Sequence, residues 1–527
     1  MLARRAFDGL RRTRITARRS IALNMKDVGE DGNSTSVPWW RRSSVIATRA
    51  TSSNATPSAQ DEKIATEATS RAQASVLATF ASWFANRSGT IHPAVKMTYR
   101  PQSGWLLEAN ENIQANERLV FLPSTLMLRC DGENISEALR RVIEGVPGEF
   151  WSSKLGLVLL RERVAGQHSA FAPYVNLLPS VHEGSPTFFQ PEAIQELQYA
   201  PLVAQVNKRA RFLASFFRAA GGAMTVDDGE AYVNESHPER RRVEMTIDAN
   251  ALGWATVCAS SRAFRVEKSS MPTLLPVIDV CNHSFDASAR VRECENGVEL
   301  VTTRDLKAGQ PIELCYGELS NDELFLDYGF IVEDNAFDTV KLRWDLKLIE
   351  LAREIGGLAT APIGAAAAVD DEHGSSTSID DVVLLAPFQK QALERIGLSA
   401  DGGGNVELNI RASGDVMDKK ALAGLRVLYS KTAAEASRAA DAPYGEIGAR
   451  VVSTDVEIKA LRTSMALAAL ALGNFPTTLA EDRESLRDGS VASPQARLAV
   501  RYRVEKKKIL IACMARLNAS IEDALRE

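Results

Sequence analysis

The chain has 527 residues, 45% of them hydrophobic and 24% charged, which is enough for two ordinary domains with cores of their own. Its longest apolar runs, such as Met465–Leu472, fall far short of the roughly 20 residues that a membrane helix needs, so no transmembrane segment and no membrane partner are read. The net charge is −5, but residues 1–49 hold ten arginines and one lysine against four acids, so the body carries about −12; an acidic body argues against nonspecific nucleic-acid binding, which needs Lys and Arg to neutralise phosphates.

Met1 to Arg19 is Arg-rich with one acid, Asp8, and Ser/Thr/Ala-rich sequence follows to about Ser58. That is the composition of an organellar transit peptide, with chloroplast favoured over mitochondrion and cytosol as the destination if the leader does not target. Residues 1–70 are poor in large apolar side chains and are expected to be disordered. A helix is predicted from near Arg71, because Val76, Leu77, Phe80 and Phe84 share one face. From Ile91 to Cys130 the pattern is strand-like, with Trp105-Leu106-Leu107 and Leu119–Leu122 as short apolar runs between Pro, Gly and Asn.

Residues 131–255 read as mostly helical, with Leu155, Val158 and Leu159 on the inner side of a helix whose Arg161, Glu162 and Arg163 face water. Strand signals return from Leu274 to Val332, in runs such as Leu274–Ile278 and Val298–Val301 separated by Asn-Gly and Ala-Gly turns. A second helical region fills about 345–525. Ile458, Leu461, Met465, Ala468 and Leu472 form a buried helix face, and Thr478 with Glu481 forms a capping box. Low-complexity stretches at Gly357–Asp381 and Ala400–Asn405 read as surface loops.

The common catalytic signatures are absent: there is no H-E-x-x-H, no G-x-x-x-x-G-K, no strand-linked G-x-G-x-x-G and no G-x-S-x-G. The six histidines show no metal-ligand spacing, so no metal is expected. The six cysteines form no C-x-x-C pair and read as reduced thiols in or near the core.

Two segments stand out: Leu274–Asp286, LLPVIDVCNHSFD, and Leu314–Ile331, LCYGELSNDELFLDYGFI. Each runs from an apolar stretch into polar or aromatic residues, Asn282-His283 in the first and Tyr316-Gly317 in the second. Together they resemble the Asn-His and catalytic-tyrosine segments of SET-domain protein methyltransferases. Ser261-Arg262-Ala263-Phe264, the Ser169–Pro179 segment, Asn474–Asp482, Arg497–Arg501 and Glu505-Lys506-Lys507 are similar to segments of the Rubisco large-subunit methyltransferase-like group. The resemblance covers about residues 72–520 and includes the C-terminal helical region that histone-type SET proteins lack.

The resemblance implies an α+β chain: a mostly-β, knot-like SET core at 71–340, split by a helical insertion at about 131–255, then an all-α substrate-binding domain at 345–525. It implies S-adenosylmethionine as cofactor and a non-histone protein as substrate, methylated on lysine by what the Ser261–Phe264 segment suggests. A monomer is expected. Carried over by position, Ser103, Gly104 and Trp105 line the cofactor, Arg262 faces its carboxylate, Asn282 and His283 hold its methionine and adenine parts, and Phe330 packs near the adenine. Tyr316 is the catalytic tyrosine, while Asp279 and Tyr328 lie along the target channel. The group usually carries a Gly-x-Gly-like loop where this chain has Ser103-Gly104-Trp105-Leu106, and the bulk of Trp105 and Leu106 bears on cofactor affinity. Two alternatives stay open: a protein-histidine methyltransferase, and a catalytically silent SET scaffold that binds a partner.

Overall fold

The computed structural model describes residues 59–526, apart from 101–102, 133–134, 217–222, 228–243, 267–270, 359–384, 399–405, 442–451 and 492. The leader to Ser58 and nearly all of both low-complexity stretches lie outside the described residues. Helices of nine or more residues are numbered below.

The first helix, α1 (Ala59–Asn86), begins twelve residues before the predicted Arg71. Ala59, Gln60, Glu62, Lys63 and Ala65 are good helix formers, and propensity extends the helix beyond its apolar face. That face is as expected: Phe80 and Phe84 are buried and Val76 packs beside them. β1 (Thr90–Ile91) follows, then the separate hairpin β2 (Val95–Arg100) and β3 (Gly104–Ala109), and β4 (Arg118–Pro123).

The insertion carries α2 (Glu137–Gly145), α3 (Trp151–Ala165), α4 (Ala200–Phe216), the hairpin β5 (Ala223–Asp227) with β6 (Glu244–Asp248), and α5 (Ala249–Arg262). The hairpin corrects the all-helical reading of this stretch. Met245 and Ile247 alternate into the core, but a period of two over five residues is too short to outweigh flanking helical signals. Close packing joins α3 to α5: a Cβ at Gly156 would lie 2.9 Å from the Ala255 carbonyl carbon. The predicted exposed charges of α3 are also corrected. Arg161 and Glu162 are buried, 2.7 Å apart, and Ser169 Oγ donates to the same carboxylate at 2.5 Å. Only Arg163 stays exposed, its guanidinium 3.9 Å above the Trp254 ring. Successive helical residues turn by about 100°, so three adjacent charges on a helix packed on several sides cannot all reach water.

After α5 come β7 (Ala263–Phe264), β8 (Thr273–Leu274), β9 (Asn282–His283), β10 (Ala289–Cys294), β11 (Gly297–Thr302) and β12 (Glu313–Leu314). The predicted strand Leu274–Ile278 stops at Leu274. Pro276 withholds an N–H from any ladder, and the chain turns through Val277 into a single helical turn, Ile278–Val280. The run is apolar because it is buried on all sides, not because it is a strand. The main sheet has the order β1-β4-β11-β10-β12-β9. Its last two pairings, β10 with β12 and β12 with β9, are parallel, whereas β10 and β11 form an antiparallel hairpin closed by Glu295-Asn296, one residue before the predicted Asn-Gly turn, with Gly297 already paired to Cys294.

The C-terminal region pairs β13 (Thr339–Arg343) with β14 (Glu407–Arg411) and gathers α6 (Leu346–Ile355), α7 (Pro387–Arg395), α8 (Lys419–Tyr429), α9 (Ala433–Asp441), α10 (Thr454–Gly473), α11 (Leu479–Arg487) and α12 (Pro494–Arg526). The predicted face of α10 is packed, but so is its opposite side, where Val456, Ala460, Thr463 and Leu467 are buried between neighbouring helices. The Thr478–Glu481 capping box is present at the start of α11.

Two apolar cores result, giving an α+β fold. One gathers residues from Phe80 to Leu314; the other gathers residues from Phe189 to Ile521. The insertion contributes to both, since Phe189, Leu197, Tyr199, Leu202 and Val206 sit in the second. Four of the cysteines are buried as expected, but Cys294 is half-buried and Cys315 is exposed.

Candidate functional site

The parallel pairing of β9 with β12 brings the two signature segments together. Asn282 stands opposite Glu313 and His283 opposite Leu314, so Tyr316, two residues on, arrives beside the His283 ring. The Tyr316 backbone N–H donates to His283 Nδ1 at 3.2 Å, and the ring centroids are 5.1 Å apart. Burial lowers the His283 pKa, which keeps the imidazole neutral and Nδ1 free to accept. Its Nε2 then carries the proton, and that buried atom has no hydrogen-bond partner among the described residues.

The Tyr316 hydroxyl donates to the Cys281 carbonyl at 2.7 Å. Burial raises its pKa, so it stays a neutral phenol. Tyr328 stacks on it, with ring centroids 4.8 Å apart, and its own hydroxyl is pushed up to about 12, chiefly by burial. Phe330 lies 6.1 Å from both Tyr328 and His283, and Phe285 stands edge-on to His283 at 4.5 Å. Tyr328 ends a π-helical turn, Leu324–Tyr328, a form that often marks functional sites. Gly329 follows with φ 79°, and a Cβ at Gly184 would lie 2.3 Å from the Gly329 carbonyl oxygen, so the insertion lies backbone to backbone against this turn.

A polar cluster adjoins these rings. Asp279 is buried; its Oδ2 accepts from the Tyr174 hydroxyl at 2.7 Å and lies 3.6 Å from Arg262 Nη1. Arg262 Nη1 also donates to the Asp279 carbonyl at 3.1 Å. Burial raises the Asp279 pKa against the opposing pull of Arg262 and Tyr174. Just before it, Val277 has φ 74°, a conformation that a β-branched residue adopts only under constraint. His182 Nε2 contacts Cys258 Sγ at 3.0 Å, and burial lowers the His182 pKa to about 4 while pushing the Cys258 thiol up to about 12. Both groups are therefore neutral.

Arg262, Asp279, His283, Tyr316, Tyr328 and Phe330 thus fall in one connected cluster, with Asn282 next to His283 on β9. The Asn282 side chain is half-buried and makes no hydrogen bond among the described residues. Ser103 and Gly104 form the tip of the β2–β3 hairpin and make no hydrogen bond with the cluster, although β3 packs against the turn Ile278–Val280. Trp105 and Leu106 do not crowd that tip: Leu106 is buried, Trp105 stands edge-on to Tyr99 across the hairpin, and nothing lies within 4 Å of where a Cβ on Gly104 would be. Sequence reasoning missed Tyr174, His182, Cys258 and the Cys281 carbonyl. Tyr174 and Cys281 had a signal, since each lies inside a segment already singled out; His182 and Cys258 had none.

A cavity of about 220 Å³, lined by Arg163, Asn176 and Trp254 among others, lies in the insertion and shares no lining residue with the cluster. The cluster is the better candidate. Arg262 Nε, Asp279 Oδ1 and His283 Nε2 are buried there without partners among the described residues, and buried polar groups normally have one.

Comparison with known proteins matches a family model described as SET domain to residues 104–317, and one described as Rubisco LSMT substrate-binding to residues 384–510. The actin-histidine N-methyltransferase of Callithrix jacchus is 24% identical over 447 residues, covering 81% of this chain and 66% of its own length. That of Canis lupus familiaris is 25% identical over 276 residues, covering 49% and 44%. The chain therefore spans between 44% and 66% of the length of these curated relatives. Among solved structures, the SET domain of LSMT bound to lysine and AdoHcy superposes with a TM-score of 0.58 at 19% identity, covering 86% of this chain and 92% of that one. Rubisco LSMT bound to AdoMet gives 0.58 at 19%, covering 85% and 93%. At this identity the likeness to solved structures is one of fold.

Proposed function

We propose that this chain, which carries a SET domain followed by a Rubisco LSMT substrate-binding domain, is a protein N-methyltransferase that takes its methyl group from S-adenosylmethionine. The observation that carries the reading is the set of three partnerless buried atoms. Two are donors, Arg262 Nε and His283 Nε2, and one is an acceptor, Asp279 Oδ1. The carboxylate of an amino-acid group complements the two donors, and the acceptor, Asp279 Oδ1, is open to a donor from either the cofactor or the target side chain. The half-buried Asn282 amide and the Phe330 ring supply further polar and apolar contact. The cofactor, when bound, supplies an electrophilic sulfonium methyl.

The protein's own part is positioning. In-line displacement needs the attacking nitrogen within about 3–3.5 Å of the methyl and aligned with it. The stacked Tyr316 and Tyr328 rings form a wall that restricts the approach of a side chain. The Tyr316 phenol, held neutral and tied to the Cys281 carbonyl, orients and stabilises charge and does not act as a base.

Between the two target nitrogens, the curated relatives support histidine, as they are named for actin-histidine methylation. The lysine preference read from Ser261–Phe264 has no support from them. It is kept as a second reading because a solved relative holds lysine. The two readings differ in pH dependence. A free imidazole, with a pKa near 6.5, is already neutral at pH 7.5, whereas an amine near 10.4 must lose a proton. The rate on a histidine target should level off above about pH 7.5, and on a lysine target should climb towards pH 10. The experiment is transfer of isotope-labelled methyl from S-adenosylmethionine to proteins of a cell extract, with the modified residue located by mass spectrometry. No labelled protein, together with no cofactor binding, would overturn the enzyme reading in favour of a silent scaffold.

The division at about residue 340, a non-histone substrate, a monomer and a plastid destination belong to the same proposal. The last rests on the Arg-rich leader and is tested by the location of a fluorescent fusion of that leader.

A further inference from the structure

We propose that Arg209, supplied by α4 of the helical insertion, is a positioning residue for methyl transfer: it clamps the π-helical turn that carries Tyr328, and so sets the place of the Tyr328 ring in the wall that it forms with Tyr316. The inference rests on the function proposed above. Arg209 Nη2 donates to Asp327 Oδ1 at 2.5 Å, and Nη1 donates to the Leu326 carbonyl at 3.0 Å. Leu326 and Asp327 are the two residues before Tyr328, and they lie between fixed ends. Phe325 is buried edge-on to Phe189 in the second core, and Gly329 lies backbone to backbone against Gly184. A single helical turn leaves its last carbonyls without partners inside the turn. Here two of them are met from the insertion, the Leu326 carbonyl by Arg209 and the Asp327 carbonyl by the Ser260 hydroxyl of α5 at 3.1 Å.

Position, more than stability, is what this pair supplies. The Arg209 and Asp327 side chains are 29% and 31% exposed, and an ion pair so placed contributes little to folding. The same helix offers a comparison: Lys208 pairs with Glu149, ahead of α3, at 2.7 Å and not with the turn. Without Arg209 the half-buried Asp327 carboxylate and the Leu326 carbonyl regain partners by turning to water, which draws the turn outward and carries Tyr328 with it. Ser260 holds one carbonyl but bears no charge, so it does not replace Arg209 at the carboxylate. A misplacement of about 1 Å near reacting groups is enough to slow an aligned displacement strongly.

Arg209→Met keeps most of the side chain's length and removes its donors. Arg209→Lys keeps the charge but not the planar fork that spans two oxygens. The full-length protein is followed by transfer of labelled methyl from S-adenosylmethionine to extract proteins, by S-adenosylhomocysteine affinity in calorimetry, and by the fluorine resonance of 3-fluorotyrosine incorporated at position 328. Arg209→Met should slow transfer at least about tenfold and move the fluorine resonance, with S-adenosylhomocysteine affinity within about threefold of the wild type. Arg209→Lys should recover part of the rate, and Lys208→Met should match the wild type throughout. Transfer and affinity that fall together would show a merely structural role and overturn the inference. An unchanged rate, or an unmoved fluorine resonance, in Arg209→Met overturns it while the active wild type leaves the proposed function standing. A wild-type protein that transfers no methyl group overturns the proposed function itself, and the Arg209 inference with it.

Discussion

Buried charge is handled in opposite ways at the two ends of the segment that follows Tyr316. On the side of Arg262 and Asp279, three buried polar atoms have no partner among the described residues. On the side of α12, Lys506 is fully buried and has several: Asp322, Asp338 at 2.7 Å and the Thr339 carbonyl at 2.7 Å, with the Tyr502 hydroxyl donating to Asp322 at 2.6 Å. Its neighbour Lys507 contacts Asp482 and the Thr477 carbonyl, and Arg503 pairs with Asp482 at 2.9 Å. A polar cluster that is complete in itself is a brace, and one left incomplete invites a ligand. The Glu505-Lys506-Lys507 motif therefore ties α12 to the segment around Asp322 and Asp338 and to the start of α11 and is not free to meet a partner, since Lys506 and Lys507 are both buried.

Four measurements sharpen or break this contrast. The largest effect is expected at the brace. Lys506→Met strands Asp322 and Asp338 in the interior and should destabilise by about 3–5 kcal/mol in denaturant unfolding. A change below about 1 kcal/mol would mean that the cluster is not a brace. At the site, Tyr316→Phe should lower methyl transfer by about 10²–10³ while leaving S-adenosylmethionine affinity within about threefold. Loss of binding instead would place the hydroxyl in ground-state recognition.

The third measurement concerns pH. His182 has its folded pKa lowered to about 4 by burial, below the unfolded value near 6.5. The unfolded chain then binds the proton more readily, so this contribution is complete above pH 6.5 and is lost as pH falls towards 4. The drop should amount to about 2–4 kcal/mol in unfolding free energy and should disappear in His182→Gln. Asp482 acts in a lower window. Burial opposes its ionisation, but Arg503, Lys507 and Thr477 hold its pKa below the usual value, so its contribution is lost on acidification below about pH 4. The smallest effect belongs to neither cluster: Thr478→Ala removes the cap of α11 and should cost about 1 kcal/mol in thermal unfolding.

Some of this was legible in advance. Phe80 and Phe84 on α1, the Thr478–Glu481 cap and the presence of a turn at Asn296 follow from local periodicity and turn chemistry, which need only a few neighbouring residues. The burial of Arg161 and Glu162, the end of a strand at Leu274 and the β5–β6 hairpin were misread, because each depends on what packs from elsewhere in the chain. Resemblance picked out Arg262, Asp279, Asn282, His283, Tyr316, Tyr328 and Phe330 as site residues. It could not say that Tyr174 and His182 reach them from the insertion.

The sequence by itself determined the order of strand and helix regions, the amphipathic faces and the two segments in which the chemistry resides, since these are properties of neighbours along the chain. Only the tertiary structure decided that β9 lies parallel to β12, that Tyr316 therefore meets His283, and that Arg262 and Asp279 are left with unpartnered atoms while Lys506 is not. These are matters of register and of which groups remain unmatched after packing, and no single segment carries that information.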